Sequence, residues 1–196
     1  MSVISLDTIG DIITAAALDK LNKSFLYLGS KDTNIYKVNL NKGFSCEPLG
    51  EQYSMLIYNK LAKVTRLIAS EITKGILICI AETNILIWNA YLKQRLAEFF
   101  EHKANVIYAN DIPILPHLIE SIDESFKYIR WDWETKEIIL RADLMIQSAC
   151  YLAEEIGLVG AIIKHMVFIG TSNGYVRGFI PKIPGSQNEI LIDDGK

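Results

Sequence analysis

The sequence predicts an all-β fold built from about four copies of one hairpin-rich unit, and three observations predict it. Short apolar runs rich in β-branched and aromatic residues recur along the chain and end at Gly, Ser, Asp or Asn, which is the pattern of buried strands. The stretch after one such run is repeated: Asp32-Thr33-Asn34-Ile35-Tyr36-Lys37-Val38-Asn39 aligns with Glu82-Thr83-Asn84-Ile85-Leu86-Ile87-Trp88-Asn89 at an offset of 50 residues, with four identities. Finally, Lys31-Asp32-Thr33-Asn34 and Ser172-Asn173-Gly174 have the polar composition of tight hairpin turns.

Four units follow in order, near 10–52, 53–101, 102–143 and 144–193, within one repeat domain over 1–196. The first has expected strands at 12–18, 25–29, 35–40 and 44–49, and the second at 64–70, 76–80, 85–89 and 95–100. In the third, 105–110 leads to a hairpin with Ser121 and Asp123, then 128–131 and 137–141. In the fourth, the expected strands are 146–153, 166–170, 175–179 and 189–192. Val38, Trp88, Trp131 and Gly178 take equivalent places at steps of 50, 43 and 47 residues. Residues 90–101 and 151–163 also fit amphipathic helices, which makes an α/β nucleotide-binding fold the alternative.

Trp131-Asp132 closing a strand, Ile87-Trp88-Asn89 in the same place, and Gly170-Thr171-Ser172-Asn173-Gly174-Tyr175-Val176-Arg177 resemble the WD-repeat family of β-propellers. The repeats are worn, since only the third unit ends in Trp-Asp and no Gly-His dipeptide occurs. The resemblance implies a WD-type β-propeller-like array that is an incomplete propeller or part of a larger one. It further implies that His102, Ser121, Asp123 and Trp131 form a structural hydrogen-bond network within one blade. Four units left open would expose strand edges and apolar faces, unless residues 2–6 pair with the last unit and close a ring.

Composition limits the function. Half the residues are hydrophobic, enough for a sizeable core, and 20 basic against 23 acidic residues leave a net charge of -3. No dense basic face of the kind nucleic acid requires is evident; the best cluster is Lys60, Lys63 and Arg66. Cys46, Cys79 and Cys150 form no CxxC pair, so neither zinc nor redox chemistry is indicated. The apolar runs at 76–81 and 158–163 are too short to span a bilayer, and the first residues do not read as a signal peptide. The expectation is an intracellular protein with no membrane role and an idle sequon at Asn22-Lys23-Ser24.

Ser, His and Asp together raise the question of a triad, but no GxSxG nucleophile elbow accompanies them. His102, His117 and His165 are scattered, without metal-ligand spacing, and no Walker string or GxGxxG occurs. Gly157, Gly160, Gly170 and Gly174 read as turn glycines needing positive φ. Glu154-Glu155 and Asp193-Asp194 read as solvated carboxylates. Arg130 and Arg177 match within Tyr-Ile-Arg and Tyr-Val-Arg, either to grip a partner's carboxylate or to pair with acids of an adjoining strand. These readings converge on a non-catalytic protein-interaction scaffold without a cofactor, a subunit of a multiprotein complex whose open edges another protein or a second copy covers. The rival is a small α/β hydrolase or transferase with His102 or His165 as base.

Overall fold

The run Ile76-Leu77-Ile78-Cys79-Ile80-Ala81 offers no polar side chain to either face, so it needs cover on both sides. In the computed structural model, which describes residues 11–49, 56–57, 60–144, 156–163 and 166–181, that run is β8, buried throughout. It lies between β7 (Val64–Ala69) and β9 (Asn84–Asn89), with β10 (Gln94–Phe99) outermost. The same up-and-down order recurs in a first sheet of β1 (Ile13–Leu18), β2 (Phe25–Ser30), β3 (Ile35–Asn39) and β4 (Ser45–Pro48). A third sheet holds β11 (Val106–Ile112), β12 (Leu115–Asp123), β13 (Lys127–Asp132) and β14 (Glu137–Asp143). The last comprises β15 (Gly157–Ile163), β16 (Met166–Thr171) and β17 (Val176–Phe179), and a short hairpin, β5 (Leu56–Ile57) and β6 (Lys60–Leu61), lies between the first two sheets. The fold is thus all-β, a propeller-like series of antiparallel sheets that is not closed.

Each sheet buries its apolar face on the next. β1 and β2 pack on β7, β8 on β11, and β11 on β15. Val64, Leu67, Leu77 and Leu86 fill the first layer together with Tyr27. Ile78, Ile80, Ile85, Ile87, Ile119 and Trp131 fill the second, and Ile122, Tyr128, Val167, Ile169 and Phe179 the third. At roughly 1.5–3 kcal/mol per fully buried large aliphatic side chain, these layers dominate the favourable side of folding.

Local polar chemistry ends the strands. Asn39 Oδ1 accepts the Asn41 N–H at 3.0 Å, Asn89 Oδ1 those of Tyr91 and Leu92 at 3.1 and 3.0 Å, and Asp132 Oδ1 those of Glu134 and Thr135 at 2.9 and 3.0 Å. Each side chain imitates a backbone turn and so stops the third strand of its sheet. The turns between second and third strands also join neighbouring sheets. The Thr33 hydroxyl donates to the Ala62 carbonyl at 2.5 Å, and the Val106 and Gly157 N–H groups donate to the Glu82 and Glu124 carbonyls at 2.9 and 3.0 Å. These turns therefore share one rim, and the first-to-second and third-to-fourth turns share the other.

The structure corrects several expectations. Residues 90–101 contain β10 and residues 157–163 form β15, not helices, while 151–155 lie outside the described residues. The partner of β16 is β15 at 157–163, not residues 146–153, which lie outside the described residues, as do 2–6 and 189–192. Gly157 and Gly160 sit in β15 without positive φ, and they are needed for closeness, not for a turn. A Cβ on Gly157 would lie 3.0 Å from Ile107 Cδ1, and one on Gly160 2.9 Å from Tyr108 Cβ. Gly170 is likewise a strand residue, whereas Gly174 does take positive φ, at 81°.

Candidate functional site

His102 stands just before β11, Ser121 and Asp123 lie two apart on β12, and Trp131 is on β13. Strand alternation turns Ser121 and Asp123 to one face. The register sets Ser121 opposite Ile129 and Ile119 opposite Trp131, which brings the indole diagonally beside the serine. The four side chains make one hydrogen-bonded chain. Trp131 Nε1 donates to Ser121 Oγ at 2.7 Å, Ser121 Oγ lies 2.8 Å from His102 Nε2, and His102 Nδ1 lies 2.8 Å from Asp123 Oδ2. The other Asp123 oxygen accepts the Ser125 and Lys127 N–H groups, both at 3.0 Å, and the Ser125 hydroxyl at 2.7 Å, which ties the chain to the β12–β13 turn.

Burial opposes the charge on Asp123, but hydrogen bonds from His102 and Ser125, the His102 charge and the Lys127 N–H outweigh it. The carboxyl is held below the usual carboxylate range. With Nδ1 on Asp123, the imidazole turns Nε2 to Ser121 Oγ. Serine, histidine and aspartate thus follow the order of a hydrolytic triad. Ser121, however, has no exposed surface, and its hydroxyl also accepts from Trp131 Nε1 and donates to the Ile129 carbonyl at 3.3 Å. A substrate carbonyl has no approach to that oxygen. Trp131 packs on Phe99 with ring centroids 4.5 Å apart, so the polar chain also fixes the layer between the second and third sheets.

Strand register shows which positions correspond. Val38 pairs with Leu26, Trp88 with Leu77 and Trp131 with Ile119, and the matching pair in the last sheet is Phe179 with Val167. Gly178 therefore lies one residue off the equivalent place, on the other face. The same slip separates the arginines: Arg130 is opposite Glu120, whereas Arg177 corresponds to Ile129. Arg130 Nη2 donates to Tyr128 Oη at 3.0 Å and lies 3.9 Å from Glu120, whose carboxylate accepts the Tyr128 hydroxyl at 2.9 Å. Arg130 thus meets an acid of the adjoining strand, the plainer of its two expected roles.

A second polar cluster has no motif in the sequence. Asp19 ends the first strand of its sheet and accepts the Leu21 and Asn22 N–H groups at 3.1 and 2.7 Å. Its other oxygen accepts the hydroxyls of Tyr27 at 3.1 Å and Tyr91 at 3.0 Å, joining the first two sheets. Beside it, Lys37 Nζ stands 4.1 Å above the Phe25 ring, and burial pushes its pKa down. Only the turn-forming part of Asp19 had a local signal, an acid at a strand end; the tyrosine contacts are long-range.

No group of three or more His, Cys, Asp or Glu among the described residues is placed to hold a metal ion. His117 lies 3.9 Å from Asp132, and His165, Cys150, Glu154 and Glu155 fall outside the described residues.

No family model matches the chain, and no curated protein matches it in sequence. Several solved structures share its fold. The computationally designed Ika4 protein is 16% identical with a TM-score of 0.65, the match covering 93% of this chain and 99% of that one. A chain of the Mitotic Checkpoint Complex is 12% identical with a TM-score of 0.63, over 86% of this chain and 50% of that one. Chaetomium thermophilum Raptor is 11% identical with a TM-score of 0.65, over 91% of this chain but 16% of Raptor. At such identities the likeness concerns fold, and function has to be argued from sites.

Proposed function

We propose that the chain is a WD-type repeat domain that works as a non-catalytic protein-interaction scaffold, a cofactor-free subunit of a larger assembly inside the cell. The observation that carries this reading is the buried chain from Trp131 through Ser121 and His102 to Asp123, which spends the chain's triad-like chemistry on holding a sheet together. Similarity of fold to a chain of the Mitotic Checkpoint Complex and to Raptor supports a role in assemblies. Rigid sheets with short turns at two rims are a suitable frame for binding residues.

The last sheet supports a covering partner. One face is buried on the third sheet, while Val159, Ile163 and Val176 on the other are 51%, 61% and 73% exposed. With Phe168 beside them, these side chains form a contiguous apolar face of a kind that monomers seldom leave bare. The proposed cover is another protein, a second copy, or more of the same polypeptide. Affinity purification of the intact protein with mass spectrometry tests the scaffold role, and a stoichiometric protein partner is the expected result. Light scattering tests the covered face. A concentration-independent monomer at 22.1 kDa would remove the covering partner from the proposal.

A further inference from the structure

The two rims of the sheet series differ in charge. On the rim formed by the first-to-second and third-to-fourth turns, the turn residues include Lys20, Lys23, Lys42, Lys74, Lys93 and Lys136, all exposed. Among the described residues, the exposed acids of these turns are Glu71 and Glu134, with Glu137 next to Lys136 at the start of β14. Lys20 pairs with Glu71, and Lys93 pairs with Glu47 at 2.8 Å on the adjoining β4. Lys23, Lys42, Lys74 and Lys136 make no ion pair among the described residues. Among the described residues, the opposite rim is more acidic, with exposed Asp32, Glu82 and Glu101 and half-buried Glu124 against exposed Lys31, Lys63 and Lys103. A chain with a net charge of -3 thus keeps one basic rim.

That basic rim also carries a bare aliphatic side chain at a turn of each of the first three sheets: Leu21 at 47%, Leu92 at 70% and Ile114 at 86% exposure. Leu92 follows Asn89, whose side chain pins the turn, and Ile114 is at the two-residue tip of the β11–β12 hairpin, so both are held outward by ordered backbone. Apolar residues such as Ile12 and Phe100 are exposed at the other rim too, so the sign of charge is what separates the rims.

Resting on the scaffold reading above, we infer that the basic rim is a docking surface for an acidic protein segment that also carries apolar side chains. Lysines spaced around the rim supply a positive field that reaches about 8 Å at physiological ionic strength and speeds encounter. The aliphatic tips supply the desolvated anchors that ion pairs at an exposed rim cannot. A nucleic acid fits less well, since a phosphate backbone has no use for Leu92 and Ile114.

Two short synthetic peptides of equal length, one alternating glutamate with leucine and one alternating lysine with leucine, probe the surface by fluorescence anisotropy. The glutamate peptide should bind at least about tenfold more tightly than the lysine peptide, and more weakly as salt rises. Lys42→Glu, Lys74→Glu and Lys136→Glu combined should abolish that preference. Leu92→Ser with Ile114→Ser should weaken the glutamate peptide, and Lys31→Glu with Lys103→Glu on the other rim should leave it unchanged. All these side chains are exposed, and a melting curve verifies each fold. Equal affinity for both peptides, or equal loss in the opposite-rim variant, overturns the inference. A native partner recovered equally well by wild type and the triple-lysine variant overturns it while leaving the scaffold role standing. Wild-type protein that recovers no partner at all removes the scaffold role instead.

Discussion

The second and third sheets share a strand pattern but are held together by different physics. In the third, Ser121, Asp123 and Trp131 belong to a buried hydrogen-bonded chain closed by His102. In the second, register puts Cys79 where Ser121 stands, Ala81 where Asp123 stands and Trp88 where Trp131 stands. The network is gone, and aliphatic burial on both faces of β8 takes its place. One vestige remains: Trp88 Nε1 is buried with no hydrogen-bond partner, whereas Trp131 Nε1 has Ser121. In the second sheet neighbouring sheets cover the site fully and leave one orphaned donor on the indole, while the third sheet's own orphan, Arg130 Nε, lies on the face away from its polar chain.

The largest contrast should come from the two tryptophans. Trp131→Ala removes a side chain with 1% exposure and its contact with Phe99, and should cost about 3–5 kcal/mol in urea unfolding. Trp88→Ala should cost clearly less, because Trp88 is only half-buried and its N–H bonds nothing. Equal losses would mean that the two sheets are held alike after all. Next in size, His102→Ala and Asp123→Ala should each cost about 1–3 kcal/mol by leaving buried partners unsatisfied, with the double variant far from additive. Wild-type melting temperatures in both single variants would remove the structural role of the chain.

Acid should act on the third sheet by the same route. Asp123 has a folded pKa below its unfolded value, so its contribution is present above the ordinary carboxylate range, near 3.9, and is lost as pH falls through the lower folded value. Asp123→Asn should therefore flatten the acid limb of a plot of urea midpoint against pH below about 4. An unchanged acid limb would assign that sensitivity to other carboxylates.

What could be read from the sequence follows from how local its cause is. Strand ends set by Asn39, Asn89 and Asp132 are legible because each side chain bonds backbone two or three residues ahead. Phe179 was displaced by Gly178 because Tyr-Val-Arg looks like Tyr-Ile-Arg. In the structure Tyr175 corresponds to Lys127, the residue before the tyrosine, and a slip of one residue exchanges the faces of a strand. β15 was hidden for a different reason. Its glycines are required by the nearness of Ile107 and Tyr108, and nothing within the segment announces those neighbours. The tyrosine contacts of Asp19 span 8 and 72 residues, beyond the reach of any local pattern.

The smallest expected effect tests the vestige itself. Cys79 is on the same face as Trp88, diagonal to it across β8 and β9, as Ser121 is to Trp131. Cys79→Ser loses a buried sulfur and adds a hydroxyl, which in a wholly apolar site costs about 1–3 kcal/mol. Here the new oxygen would face the orphaned Trp88 N–H, and a hydrogen bond worth about 1 kcal/mol offsets much of that cost. The substitution should therefore cost roughly 0–2 kcal/mol, about 1 kcal/mol less than the reverse change in the third sheet, Ser121→Cys, which costs about 1–3 kcal/mol by loosening a satisfied chain. Two exchanges of one atom, in opposite directions at matching positions, should thus differ in size because only one sheet still uses the oxygen. If Cys79→Ser were as damaging as Ser121→Cys, the Trp88 N–H would have no access to position 79. Register would then make the two sheets equivalent in backbone alone.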